Sequence, residues 1–153
     1  MKSTNSKIHI DSKIESDGDA VGMELVTDAL FARKNDSYYV MYAEPESSEL
    51  YGCVTTVKVK GERVMIRRTG AVKTTMEYEQ GKDNTSVYAF TFGSIVIENH
   101  TRYLNINIGD DGGEIELHYT MDMGGEKSEN KMKIRIVCDK TIMATEGMVT
   151  NEN

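Results

Sequence analysis

Glu114-Ile115-Glu116-Leu117-His118-Tyr119-Thr120-Met121-Asp122-Met123 is the stretch that decides the fold. Ile115, Leu117, Tyr119, Met121 and Met123 take every second position, and Glu116, His118, Thr120 and Asp122 fill the places between. Side chains of an extended strand point alternately to its two faces, so this stretch has one apolar and one polar face. Gly124-Gly125-Glu126-Lys127 follows as a turn. Beyond it Met132, Ile134, Ile136 and Cys138 alternate with Lys131, Lys133 and Arg135. Antiparallel pairing of the two segments sets an acidic outer row beside a basic one, worth about 0.2–1 kcal/mol per pair.

The same period extends outward along the chain. Ile8, Ile10, Ser12 and Ile14 alternate with His9, Asp11, Lys13 and Glu15, Asp17-Gly18 supplies a tight turn, and Met23, Leu25 and Thr27 continue the core face. Asn35-Asp36 breaks the chain before Tyr38–Tyr42, and a polar loop runs from Pro45 to Glu49. Further strands are expected at Cys53–Val59, Val64–Arg67, Val72–Tyr78, Thr85–Phe92, Ile95–Ile97 and Leu104–Ile108. Gly61, Gly70, Gly81, Gly93, Asn99 and the Asp110-Asp111-Gly112-Gly113 cluster bound them. That makes about eleven short strands joined by loops too short for anything but antiparallel neighbours. No stretch shows a capped helical period, so a nucleotide-binding α/β alternation is excluded. Such a meander has exposed edges, and closing it removes them. The expected fold is an all-β, antiparallel up-and-down β-barrel, with a β-sandwich as the alternative.

The 153 residues suit one domain, set at residues 8–138, with 1–7 as an N-terminal extension and 139–153 as a frayed tail in which Ile142-Met143 could dock. Eighteen Lys and Arg against 25 Asp and Glu leave a net charge of −7, which argues against nucleic acid and against an acidic membrane surface as partners. No apolar signal stretch opens the chain, and Cys53 and Cys138 read as reduced, buried thiols, so the expected compartment is the cytoplasm.

The runs Gly52-Cys53-Val54-Thr55-Thr56-Val57-Lys58, Arg68-Thr69-Gly70-Ala71-Val72-Lys73, Tyr88-Ala89-Phe90-Thr91-Phe92-Gly93 and Tyr119-Thr120-Met121 occur in that order. With His9 and the alternation of the first strand, and Asn130 opening the last, they resemble the YwiB-like uncharacterised bacterial β-barrel proteins, a domain-of-unknown-function family placed with the calycins. The resemblance covers roughly Ile8 to Val137. It implies a lipocalin-like barrel and no activity, so no catalytic residue is carried over.

A small barrel's interior either fills with side chains or holds one small ligand. Alternation turns Ile8, Leu25, Val57, Ile66, Leu117 and Ile134 inward, with Phe90 and Phe92 among them, and also Ser12, Thr27, Thr55, Thr74, Tyr42, Tyr78, Tyr88 and Tyr119. Buried hydroxyls need partners, which are either one another with ordered water or a ligand. Arg68 is the most informative residue. With Ile66 opposite Val72, the loop is Arg68-Thr69-Gly70 and Arg68 stands at the rim, over the mouth, where it would grip a carboxylate or phosphate. The plainer reading pairs it with Glu62 or Glu77. Thr74 is the second expected contact, and the inward Tyr88 and Tyr119 are further candidates. Tyr78 is assigned to the opposite end, roughly 20 Å from Val72 along its strand.

His9, His100 and His118 are too scattered for a zinc site, Asp110–Glu114 reads as a turn rather than a calcium loop, and no nucleophile motif is present, so no metal, cofactor or catalytic residue is expected. The expected function is a non-enzymatic barrel that binds a small, largely apolar ligand with an acidic group. The alternatives are an enzyme using inward Tyr, Thr and Arg groups and a structural or protein-interaction barrel. A cavity of roughly 300 Å³ or more near Arg68 favours the first two, and a solid interior favours the third. A homodimer formed through an open edge is a further possible assembly.

Overall fold

The computed structural model describes residues 2–139. Of the tail expected at 139–153, residues 140–153 lie outside the described residues. Ten strands make up the fold: β1 Lys2–Ser16, β2 Asp19–Lys34, β3 Ser37–Ala43, β4 Val54–Lys60, β5 Arg63–Thr69, β6 Thr74–Glu79, β7 Asp83–Phe90, β8 Gly93–Gly109, β9 Gly112–Met123 and β10 Glu126–Cys138. They form one antiparallel sheet in the order β6-β5-β4-β3-β2-β1-β10-β9-β8-β7. The fold is the expected up-and-down barrel, nearly closed. Among the described residues there is no helix, and none long and apolar enough to cross a membrane.

The β9–β10 hairpin forms as expected. Ile115 faces Ile134 and Leu117 faces Met132, while the outer rows set Glu116 beside Lys133 and Glu114 beside Arg135. Lys133 Nζ also reaches Glu114 Oε1 at 3.6 Å. Ile8, Ile97, Ile115, Leu117, Ile134, Val40, Val57 and Val64 are fully buried in one continuous core. Each such side chain stabilises the fold by about 1.5–3 kcal/mol relative to exposure.

Four details differ from the sequence expectation. Residues 2–7 are not an extension: β1 begins at Lys2 and pairs with β2 from Lys2 opposite Arg33 onward, although these residues are mostly polar. Buried Ser6 is accommodated there because its hydroxyl donates to the Ala29 carbonyl at 3.0 Å. Ile95–Ile97 and Leu104–Ile108 belong to one strand, β8, rather than two. A bulge between Thr101 and Tyr103 switches the inward face from Ile95, Ile97, Asn99 and Thr101 to Leu104, Ile106 and Ile108. The change of phase is what makes one strand look like two. Phe90 and Phe92 are not core residues; Phe92, in the β7–β8 turn, is 93% exposed, and Phe90 ends the ladder opposite Gly93.

The fourth concerns the β5–β6 hairpin. Ile66 faces Met76, not Val72, and Arg68 faces Thr74, so the connection runs from Gly70 to Lys73. Both registers keep the same side chains inward, but the observed one buries Met76 and Tyr78 and leaves Val72 outside the ladder.

Sequence neighbours are sheet neighbours everywhere except at β6 and β7. These two edges face each other and are bridged by Lys73 and Ala89, whose amides exchange bonds of 2.8 and 2.9 Å. The turn between them is drawn to β8: Gly81 N donates to Thr101 O at 2.8 Å and Thr101 N to Lys82 O at 3.0 Å.

Gly113 illustrates how tightly the β8–β9 corner is built. Its φ is +145°, and an added Cβ would stand 2.0 Å from the Asn107 carbonyl oxygen. Gly113→Ala is expected to lower stability by about 2–4 kcal/mol, from backbone strain and the forced clash together. Gly125, φ +97° with open space around it, should lose only about 1 kcal/mol on the same change. Urea unfolding of both variants checks the ranking, and equal midpoints would contradict this corner geometry.

Candidate functional site

The strand alternation that builds the core also carries polar groups inward where β3 to β6 meet the loop between Ala43 and Val54. Beneath that loop lies a cavity of about 170 Å³. Ile10, Leu25, Leu50, Val57, Ile66, Met132 and Ile134 supply its apolar wall, and Tyr42, Glu44, Ser48 and Arg68 its polar end. The volume lies below the 300 Å³ that marks a drug-sized site and leaves room for roughly five or six water-sized groups. The interior is therefore neither a large pocket nor packed solid.

Glu44 holds the loop in place. It continues the inward parity of Tyr38, Val40 and Tyr42 and is 4% exposed. Its carboxylate accepts from Ser48 Oγ at 2.9 Å and from Thr55 Oγ1 at 2.5 Å, and Ser48 Oγ in turn accepts from Leu50 N at 3.0 Å. Glu44 N donates to Cys53 O at 2.9 Å, which closes the loop on itself. A buried carboxylate is tolerated when its lone pairs are taken up in this way.

Arg68 is half-buried and points inward from the last turn-side positions of β5, in line with Val64 and Ile66. It makes no ion pair among the described residues, so the expected partners Glu62 and Glu77 are not its partners. Its Nε is buried and has no hydrogen-bond acceptor. Directly across the hairpin Thr74 is 5% exposed, and its hydroxyl is also without a partner. Arg68 and Thr74 are thus brought together, though by inward alternation instead of by the proposed three-residue loop.

The tyrosines divide differently from the expectation. Tyr78 is not remote from the others: its ring lies 5.0 Å from that of Tyr119 at 59°, and the Arg68 charge acts on both. The distance along β6 does not separate them, because strand tilt and long side chains converge inside a barrel. Tyr88 is half-buried on β7, its ring 6.5 Å from Phe90, at the edge of the core. Tyr42 and Glu44 complete the polar end. Glu44 was legible as the next inward position after Tyr42, but it sits in a stretch whose Pro, Ser and Glu read as loop.

Burial pushes the Tyr42 hydroxyl well above the ordinary range, the Glu44 charge pushes it further, and Arg68 opposes both. Tyr78 is raised by burial and by Tyr119, and Tyr119 by burial, each again against Arg68. All three are neutral hydrogen-bonding groups at physiological pH. Larger clefts of about 1040 and 980 Å³ open on the outer surface, but several of their charged groups are already matched, as in Lys7 with Asp28, His100 with Asp83 and Arg102 with Glu129.

The class of protein is an almost closed antiparallel barrel of ten strands with a cation and hydroxyls inside its apolar wall. Within that class the chain belongs to the family described as Domain of unknown function (DUF1934), whose model matches residues 8–136. It is 28% identical over 120 residues to the "Uncharacterized beta-barrel protein YwiB" of Bacillus subtilis (strain 168), covering 78% of this chain and 83% of that one. The crystal structure of the ywiB protein from Bacillus subtilis superimposes with a TM-score of 0.81 at 26% identity, covering 90% of this chain and 93% of that one.

The raised tyrosines give the fold an alkaline limit. An unfolded chain releases these protons near pH 10 while the folded one keeps them, so their effect on stability is nil below pH 10 and increasingly unfavourable above it. Each should cost about 1.4 kcal/mol per pH unit there. Absorbance titration is expected to show Tyr42, Tyr78 and Tyr119 ionising only as the barrel unfolds. Smooth ionisation of every tyrosine near pH 10 in folded protein would contradict their burial.

Proposed function

We propose that the barrel is a non-enzymatic binding module for a small, largely apolar ligand whose acidic group is held by Arg68 and Thr74. The observation that carries this reading is the pair of unpartnered buried donors, Arg68 Nε and Thr74 Oγ1, on residues that face one another across a hairpin, with Arg68 also lining a mostly apolar cavity. A buried donor left unmade costs about 1–3 kcal/mol, and an anionic acceptor removes that cost with a charge-assisted bond. The cavity's 170 Å³ suits a ligand of few heavy atoms. Binding is favoured over catalysis because the interior hydroxyls are shifted away from ionisation, the histidines sit on outward faces, and the buried carboxylate beside the cavity, Glu44, is taken up by Ser48 and Thr55. Two buried cysteines, Cys53 and Cys138, suit the cytoplasm as the site of action.

Native mass spectrometry of the protein from its own cytoplasm is expected to show a retained small molecule, and Arg68→Ala to weaken its binding by about tenfold to a hundredfold. Unchanged affinity would remove Arg68 from the site. In the ligand-free protein Arg68→Met should raise stability by about 1–2 kcal/mol, because an uncompensated charge is replaced by an apolar side chain of similar reach. A loss of stability instead would mean that the guanidinium serves the fold.

A further inference from the structure

The wall of the barrel is interrupted between β6 and β7. Continuing the register of the Lys73–Ala89 bridge would pair Thr75 with Val87 and Glu77 with Thr85, and neither pair forms. Glu77 N turns instead to Asn84 Oδ1 at 3.2 Å, and Glu77 O accepts from Asn99 Nδ2 at 3.3 Å. A cleft of about 410 Å³ opens at this gap. It is lined by Arg67, Lys73 and Thr75 from the outer face and by Arg68, Thr74 and Ser86 from the inner one. One cleft touches both faces of a sheet only where the sheet is broken.

Three of the buried polar atoms without a partner meet here: Arg68 Nε, Thr74 Oγ1 and Ser86 Oγ. Arg67 and Lys73 add two exposed cations, and neither has an ion pair among the described residues. Glu77 is the one carboxylate in the lining. A local excess of positive charge in a chain of net charge −7 calls for a physical reason. We infer that the β6–β7 gap is an oxyanion site for the phosphoryl group of a small phosphorylated molecule, held through the wall by Arg68, Thr74 and Ser86 with Lys73 and Arg67 outside. A carboxylate has two oxygens and one charge, too few for this set of donors. A phosphoryl group presents three acceptor oxygens and close to two negative charges. Because Arg68 also borders the inner cavity, this assignment rests on the binding reading above and names its acidic group.

The test is amide-resolved NMR of the full-length chain titrated with inorganic phosphate, and with acetate and sodium chloride at matched ionic strength. Phosphate is expected to give saturable shifts at Lys73, Thr74, Thr75, Ser86 and Val87, with acetate at least fivefold weaker and chloride without a saturable effect. Lys73→Gln, an exposed change, and Ser86→Ala should each weaken phosphate three- to tenfold. Equal response to all three anions, or wild-type phosphate affinity in both variants, would overturn the assignment. Met132→Trp fills the inner cavity and should leave phosphate affinity within twofold. If phosphate binding vanishes with it, the anion sits in the inner cavity and the gap is not its site. If phosphate titrates the gap but no small molecule is retained by the barrel, the site stands and the apolar-ligand reading falls.

Discussion

The ladder between the first and last strands is the constraint on which the rest of the barrel depends. From Ser6 opposite Cys138 to Glu15 opposite Glu129, β1 and β10 join segments more than a hundred residues apart. A sheet of ten strands has two edges, and unpaired backbone at an edge must be covered or closed. Pairing the chain ends with each other moves the edges to β6 and β7, in the middle of the sequence, where a short turn holds them face to face. The barrel's weakest line is therefore set by where its strongest long-range pairing lies.

That placement organises the interior. The buried apolar side chains that fill it come from every strand except β7, whereas among the described residues the five buried polar side-chain atoms without a partner lie on β5 to β8: Arg68, Thr74, Ser86, Asn99 and Thr101. Strands with a paired neighbour on each side bring their inward residues into register with others that complement them. Beside the gap β6 and β7 lack that second neighbour, and the inward hydroxyls of Thr74 and Ser86 are left without acceptors, with Arg68 opposite Thr74 on β5. The polar character of this flank and the break in the ladder are two aspects of one geometry.

Glu44 and Arg68 show the two ways in which a charge is accommodated inside the barrel. The carboxylate is met by Ser48 and Thr55 and orders the loop above the cavity. The guanidinium has Tyr42, Tyr78 and Tyr119 within its field but no acceptor at its buried Nε. Tyrosines kept neutral by burial can donate or accept without adding charge, so these three contribute polarity to an apolar chamber while leaving Arg68 available. An unsatisfied charge that destabilises a fold is the kind of feature expected where binding, rather than stability, sets the residue.

Much of this fold was legible in the sequence because the period of a strand is local. Which side chains face inward at Ile8, Ile66, Arg68, Thr74, Leu117 or Ile134 follows from alternation alone, and the β9–β10 register follows from its turn and matching charge rows. Alternation repeats every two residues, however, so it cannot distinguish registers that differ by an even step: Val72 and Met76 were equally acceptable opposite Ile66, and only the burial of Met76 and Tyr78 in the assembled core chooses between them. The phase change at the β8 bulge and the strand character of polar residues 2–7 likewise have no local signal, and the alternation that turns Glu44 inward is masked by the loop composition around it. The sequence by itself determined a closed antiparallel sheet and the two faces of most of its strands. The tertiary structure alone decided which edges meet, and therefore which inward polar groups find partners and which are left open, because hydrogen-bond satisfaction is a property of the neighbour across the gap and not of the strand that carries the group.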